Sequence, residues 1–117
     1  MNLPHQAPIR FAKEIIDKGE NFFIIKCSFP YIPTLPMISE AAAQSSAAFA
    51  QDNKEPIIGF LVSLKNIEKI SEFTKEDYQI IISKSFNFGN MTEYKFEVSD
   101  EYTIYAKGEL TIAFKTN

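Results

Sequence analysis

The chain has 117 residues, 45% of them hydrophobic and 23% charged, with a formal net charge of −3. That size suits a single domain spanning residues 1–117 with a real core, and the acidic balance argues against nucleic acid, whose binding needs clustered Lys and Arg. One cysteine, Cys27, rules out an internal disulfide and points to a reducing, cytoplasmic setting. With His5 as its sole histidine, far from Cys27, the chain gives no sign of a metal site. No apolar run approaches the ~20 residues that span a bilayer. The opening M-N-L-P-H-Q has neither the basic nor the apolar region of a signal peptide.

Leu3 to Pro8, punctuated by prolines, reads as a lead-in. Ile9 to Asp17 predicts a first strand, and Lys18-Gly19-Glu20-Asn21 a turn. Phe22 to Phe29 is apolar on both faces, as expected of a strand covered twice.

Pro30, Pro33 and Pro36 then hold the chain extended, because each fixes its own φ and restricts its predecessor. Pro36 suits the first position of a helix, where its missing N–H costs nothing. From there to Gln51 the chain is alanine-rich and carries a single charge, Glu40. A helix of about 16 residues, roughly 24 Å long, is expected, with Glu40 in its first turn. So few charges imply enclosure, since a surface helix would carry a charged face. Ala42, Ala43 and Ala47 are expected where the sheet approaches closest. Asp52 to Pro56 ends the helix.

Ile57 to Leu64 is again apolar on both faces, with Gly59 marking a bulge or a close approach. Tyr78, Ile80, Ile82, Lys84, Phe86 and Phe88 alternate with a second set, and Gly89-Asn90 is a hairpin signal. Tyr94, Phe96 and Val98 alternate with Glu93, Lys95 and Glu97. In the last run Ile104, Ala106, Leu110, Ile112 and Phe114 oppose Thr103, Lys107, Glu109, Thr111 and Lys115. These are antiparallel strands with one wet face. The economical architecture is α+β: a curved antiparallel sheet of about six strands wrapped around one central helix. A free sheet edge would then favour a homodimer, which can build a higher oligomer of dimers.

Three motifs occur in order: L-P-H-Q-A-P (Leu3 to Pro8), F-P-Y-I-P-T-L-P (Phe29 to Pro36) and E-A-A-A-Q (Glu40 to Gln44). Together they resemble the hotdog-fold (3R)-hydroxyacyl-ACP dehydratases, with L-P-H-R-x-P, H-F-P-x-x-P-x-x-P-G and L-E-A-x-A-Q at the matching places. The likeness runs on through Gly59 to Ile70 and the later strands to Phe114. It implies a substrate carried as an acyl thioester on ACP or CoA, a place in fatty acid biosynthesis, and no cofactor. In that family a histidine of H-F-P removes the α-proton, a helix carboxylate protonates the departing hydroxyl, and a backbone N–H at the helix start polarises the carbonyl.

By that resemblance Glu40 is the carboxylate and Gln44 the glutamine one turn on. Ser28 stands at the histidine position, Met37 follows Pro36 where glycine is usual, and the stretch from Pro36 to Glu40 is two residues short. Serine has no pKa suited to a base near neutrality. His5 either bonds a neighbouring carbonyl or forms a rearranged pair with Glu40. Glu40 and His5 are thus the candidate catalytic residues, and Gln44, Ser28, Met37 and Pro36 the candidate substrate contacts. Glu40 could instead simply cap helix N–H groups, as Thr34 or Ser39 would. Cys27 reads as a small core residue. Three functions remain open: an altered dehydratase, a thioesterase in which Glu40 activates water, and a non-catalytic acyl-binding or interaction module.

Overall fold

A computed structural model describes residues 10–50 and 57–116. The lead-in of residues 3–8, His5 within it, and the segment 52–56 lie outside the described residues. The elements run β1 (Ala12–Lys18), β2 (Phe22–Ser28), α1 (Leu35–Ser45), α2 (Ala47–Ala50), β3 (Ile57–Lys69), β4 (Asp77–Phe88), β5 (Met91–Ser99) and β6 (Ile104–Thr116). The six strands form one antiparallel sheet in the order β1-β2-β4-β5-β6-β3, which meets the expected curved sheet around a central helix. The β4–β5 hairpin turns at Gly89, whose φ of 63° is a conformation glycine adopts without strain.

One side of the sheet carries the core. The register sets Ile25, Ile80, Val98 and Ala106 in one row across four strands, and Phe23, Ile82, Phe96 and Gly108 in the next. All the side chains in these rows are buried. Gly108 has no side chain because there is no room for one. A Cβ there would stand 2.4 Å from Ile67 Cδ1 and 2.9 Å from Phe96 Cζ. Gly59 is a close approach of the same kind, 2.9 Å from Ile112 Cγ2, and the bulges of β3 fall elsewhere, at Leu61/Ser63 and Lys65/Glu68.

Against this side lies α1, through Ile38, Ala41, Ala42 and Ser45, all buried. Their spacing of three and four residues is one helical stripe. Three of the four side chains are no larger than a hydroxymethyl, so the helix axis sits close to the strands. The helix is shorter than the alanine run predicts. Ser46 interrupts it: its hydroxyl donates to the Ala43 carbonyl at 2.6 Å, and the chain resumes as α2. Serine competes for backbone acceptors in this way, loosening a helix interior. In α2 the ring of Phe49 packs edge-on to Phe23 at 4.6 Å and against Tyr94 at 5.1 Å. Of the three alanines expected under the sheet, Ala42 is fully buried, Ala43 half-buried and Ala47 exposed. The helix turns Ala41 and Ala48 inward instead.

Two further expectations change. β2 and β3 are not covered on both faces within the chain. Phe22 and Ile24 are half-buried, and β3 is an edge strand that exposes Phe60, Leu61, Val62 and Leu64. Phe86 and Phe88 do not continue the inward face of Tyr78, Ile80 and Ile82, because a register shift between Lys84 and Phe86 turns them outward, opposite Glu93 and Met91. Asn87 takes the inward place, accepting a hydrogen bond from the Thr92 hydroxyl at 2.6 Å.

At one end of the sheet Asp100 ties the β3–β4 connection to the β5–β6 turn. Its carboxylate takes Lys75 Nζ at 2.7 Å and the Tyr105 hydroxyl at 2.8 Å, and the N–H groups of Tyr102 and Thr103 at 2.9 Å each. Lys75, then the Tyr102 N–H and the Tyr105 hydroxyl, hold this carboxyl well below the usual carboxylate range.

The packing separates two substitutions that look alike on paper. Gly108→Ala forces a methyl into Ile67 and Phe96 and should destabilise by ~1–3 kcal/mol. Ala47→Leu, on the exposed side of α2, should stay within about 0.5 kcal/mol of wild type. Chemical denaturation of both variants checks the contrast.

Candidate functional site

The helix start is built by Thr34, whose Oγ1 accepts the Met37 N–H at 3.4 Å while its carbonyl accepts the Ile38 N–H at 3.1 Å. Pro36 is therefore the second helical residue, not the first, and Glu40 is the sixth, in the second turn. This displaces Glu40 from the expected first turn. The helix dipole acts mainly within that turn, so it does not explain the carboxylate. Nor does capping, which falls to Thr34.

Glu40 is exposed and stands between two grooves that run along the helix. The first, about 330 Å³, lies between Leu35, Pro36, Ser39 and Glu40 on α1 and Leu61, Leu64 and Ile67 on β3. The second, about 280 Å³, is bounded by Glu40, Ala43, Gln44 and Ala47 on the helical side and by Gly59, Leu61, Ile112 and Phe114 on the sheet. The first is an apolar cleft and the second a mixed one, with Gln44 and Ser46 among its lining, and Glu40 borders both. The β3 wall exists because of the bulge at Leu61/Ser63, which pairs Leu61 with Ile112 and Leu64 with Leu110, so both leucines face the helix. Residues 57–64 show this only as an apolar run. The wall residues Leu61 and Leu64 went unidentified in the sequence for that reason, and Ile67 lies past that run, within the second irregularity of β3 at Lys65/Glu68.

Gln44 has a structural task that its position in the motif does not reveal. Its Oε1 accepts the N–H of Phe11 at 2.7 Å and of Ala12 at 3.1 Å, clamping the start of β1 to α1. Its Nε2 donates to Glu40 Oε2 at 3.3 Å. One side chain thus satisfies two edge donors and orients the carboxylate. Pro36, Glu40 and Gln44 are brought together around the two grooves. Ser28 and Met37 lie outside both. Ser28 donates its hydroxyl to Asp77 on the neighbouring strand, and Met37 packs half-buried against the core. His5 lies outside the described residues.

Cys27 is fully buried, and desolvation pushes its thiol up to about 12. It is a core residue, 4.0 Å from the Ser45 hydroxyl. Among the described residues no group of three or more His, Cys, Asp or Glu could hold a metal ion. No described helix is long and apolar enough to cross a membrane.

Gln44→Ala should destabilise by ~1–3 kcal/mol, because two partly buried N–H groups lose their acceptor. Gln44→Glu keeps an acceptor and should recover most of that stability despite placing a second carboxylate beside Glu40. Urea denaturation of the pair distinguishes a clamp from a side chain that serves ligand alone.

No family model matches the chain, and no curated protein matches its sequence. Solved structures do match. The hypothetical protein SAV0944 from Staphylococcus aureus superposes with a TM-score of 0.73 at 7% identity, over 89% of this chain and 93% of that one. The dehydratase heterocomplex ApeI:P from Xenorhabdus doucetiae gives 0.70 at 16%, over 95% and 86%. The thioesterase HI1161 from Haemophilus influenzae gives 0.67 at 13%, over 88% and 78%. At such identities the likeness is one of fold: this chain has the hotdog fold, a curved six-stranded antiparallel sheet around a central helix.

Proposed function

We propose that the chain takes acyl thioesters, carried on ACP or CoA, into the grooves beside Glu40 and acts on them there. The observation that carries this reading is Glu40 itself, a carboxylate held by Gln44 beside an apolar cleft of about 330 Å³ and a mixed one of about 280 Å³. An acyl chain suits the leucine-walled cleft, and a thioester carbonyl would then lie near the carboxylate. The fold neighbours named thioesterase and dehydratase lend support of the coarser kind, toward thioester chemistry in general.

Two reactions suit one carboxylate differently. Hydrolysis needs Glu40 to take a proton from an attacking water, with no second titratable group. Dehydration needs a base for the α-proton and an acid for the leaving hydroxyl, so Glu40 would require His5 as its partner. The hydrolytic reading asks less of the residues that surround Glu40 in the structure. The dehydratase-like reading follows the sequence motifs. Glu40→Gln preserves shape and should lower turnover ~10²–10⁴-fold, assayed with saturated acyl thioesters for hydrolysis and 3-hydroxyacyl or crotonyl thioesters for dehydration or hydration. His5→Ala should match that loss on the hydroxyacyl substrates if the two residues work as a pair, and leave hydrolysis unchanged otherwise. A wild type that binds but never turns over, with the same ligand-induced stabilisation in Glu40→Gln, would identify an acyl-binding module. Turnover surviving Glu40→Gln undiminished would remove Glu40 from the site.

The grooves are also open toward the sheet edge, since Leu61 and Leu64 lie on edge strand β3. A second copy paired along β3 would cover the exposed Leu61, Val62 and Leu64 and close that side. The homodimer is accordingly part of this reading. Light scattering should show at least a dimer at micromolar concentration, and Val62→Lys, which puts a charge on the exposed apolar face of edge strand β3, should halve the mass. A wild-type monomer would refute it.

A further inference from the structure

β1 and β3 are the two opposite edges of the sheet, and each edge leaves open space against the helical segment. The clefts at Glu40 lie on the β3 side. On the β1 side is a larger groove of about 500 Å³. Its origin is a mismatch in side-chain size. The register pairs Ile15 with Ile25, and Ile25 is buried in the core, so both project to the helix side of the sheet. Across the groove from them stand Ser45, Ala47 and Ala48, none long enough to reach the edge strand. Ile15 is therefore 40% exposed although it faces inward. Small residues let the helix settle on the middle of the sheet, and at the β1 edge they leave an apolar slot.

Two cations border this slot. The bulge between Ala12 and Glu14 adds Lys13 to the strand, and its ammonium donates to the Arg10 carbonyl. The Arg10 guanidinium donates through Nε to the Ala12 carbonyl at 2.9 Å, which fixes one edge of its fork. No carboxylate among the described residues pairs with either cation. Glu14 also borders the groove, so its charged residues together carry a single positive charge.

We propose that this slot binds a fatty carboxylate, its alkyl chain along Ile15 and Ile25 and its head at Arg10 and Lys13. The volume falls within the ~300–1,000 Å³ of small-molecule sites, whose usual chemistry is an apolar lining with a few charged groups. One negative charge balances the border, and a planar carboxylate suits the two Nη groups of a guanidinium whose Nε is already engaged. A peptide strand or a second copy added along β1 fits poorly. Gln44 already takes the N–H groups of Phe11 and Ala12, and two bulges interrupt the ladder beyond them. The site is separate from the chemistry at Glu40 and does not depend on it.

The probe is sodium decanoate below its critical micelle concentration, titrated by calorimetry beside decanol, its neutral counterpart. Decanoate should bind ~10-fold more tightly than decanol, since only the anion gains charge-assisted hydrogen bonds. Arg10→Gln/Lys13→Gln should erase that advantage, and Ile15→Ser should weaken both ligands. All three side chains are exposed, so these variants should melt near wild type. A second measurement needs no variant: nuclear Overhauser effects should join the decanoate methylenes to the methyls of Ile15 and Ile25. Equal affinity for decanoate and decanol, or binding of neither, overturns the inference. Overhauser contacts to Leu61 and Leu64 instead would overturn it and place the ligand in the cleft at Glu40, leaving the proposed function standing. Contacts from residues 1–9 to Ile15 in the ligand-free protein would overturn it by assigning the slot to the chain itself. Tighter binding of decyl phosphate than of decanoate would overturn the carboxylate assignment.

Discussion

The closeness of α1 to the sheet is the constraint on which the rest of the molecule depends. Ile38 is the one large side chain in the buried stripe, and Ala41, Ala42 and Ser45 let the backbone of the helix come down onto the strands. With the core side of the sheet filled by rings and branched side chains from β2, β4, β5 and β6, a bulkier stripe would have to push the layers apart. The same economy of space appears at Gly108, where Phe96 and Ile67 occupy the volume a methyl would need. Small residues at these points allow the larger ones around them to interdigitate.

Polar groups then lock what the packing arranges. Gln44 fastens the first strand to the helix by accepting two backbone N–H groups, and the Ser45 hydroxyl returns to the Ala41 carbonyl at 2.8 Å, so the stripe buries a polar atom without leaving it unsatisfied. The Gln44 clamp also connects the fold to the candidate site. Because Gln44 is held rigidly from the β1 side, its amide nitrogen offers Glu40 a fixed donor, and the carboxylate is positioned by the same residue that secures the sheet.

Bulges decide what each strand presents. In β3 the shift at Leu61/Ser63 turns Leu61 and Leu64 toward the helix and so makes the wall of the grooves. In β4 the shift between Lys84 and Phe86 moves two phenylalanines to the outer surface. One irregularity builds a cleft, and the other exposes two rings. Each adds a residue to one strand only, so the faces exchange without disturbing the strand order.

Taken alone, the sequence determined the elements and the side of the sheet that faces the core over most of β4, β5 and β6. Period-two alternation and the Gly89-Asn90 turn are local signals that survive folding unchanged. It also determined that Glu40 and Gln44 share a helix face, because a spacing of four is set by helical geometry. Several features were not legible. The helix break at Ser46 rests on a hydroxyl choosing a backbone acceptor. The second-turn position of Glu40 rests on Thr34, not Ser39, making the cap. The outward turn of Phe86 and Phe88 rests on a register shift that alternation counting cannot see. Apolar residues on both faces of β2 and β3 read as double burial, yet β3 lies at the edge with large side chains in the open. Pairing partners, bulges and edge positions are properties of strands brought together from distant parts of the chain. Only the tertiary structure could decide them, since each depends on which neighbour a residue meets and not on which residue it is.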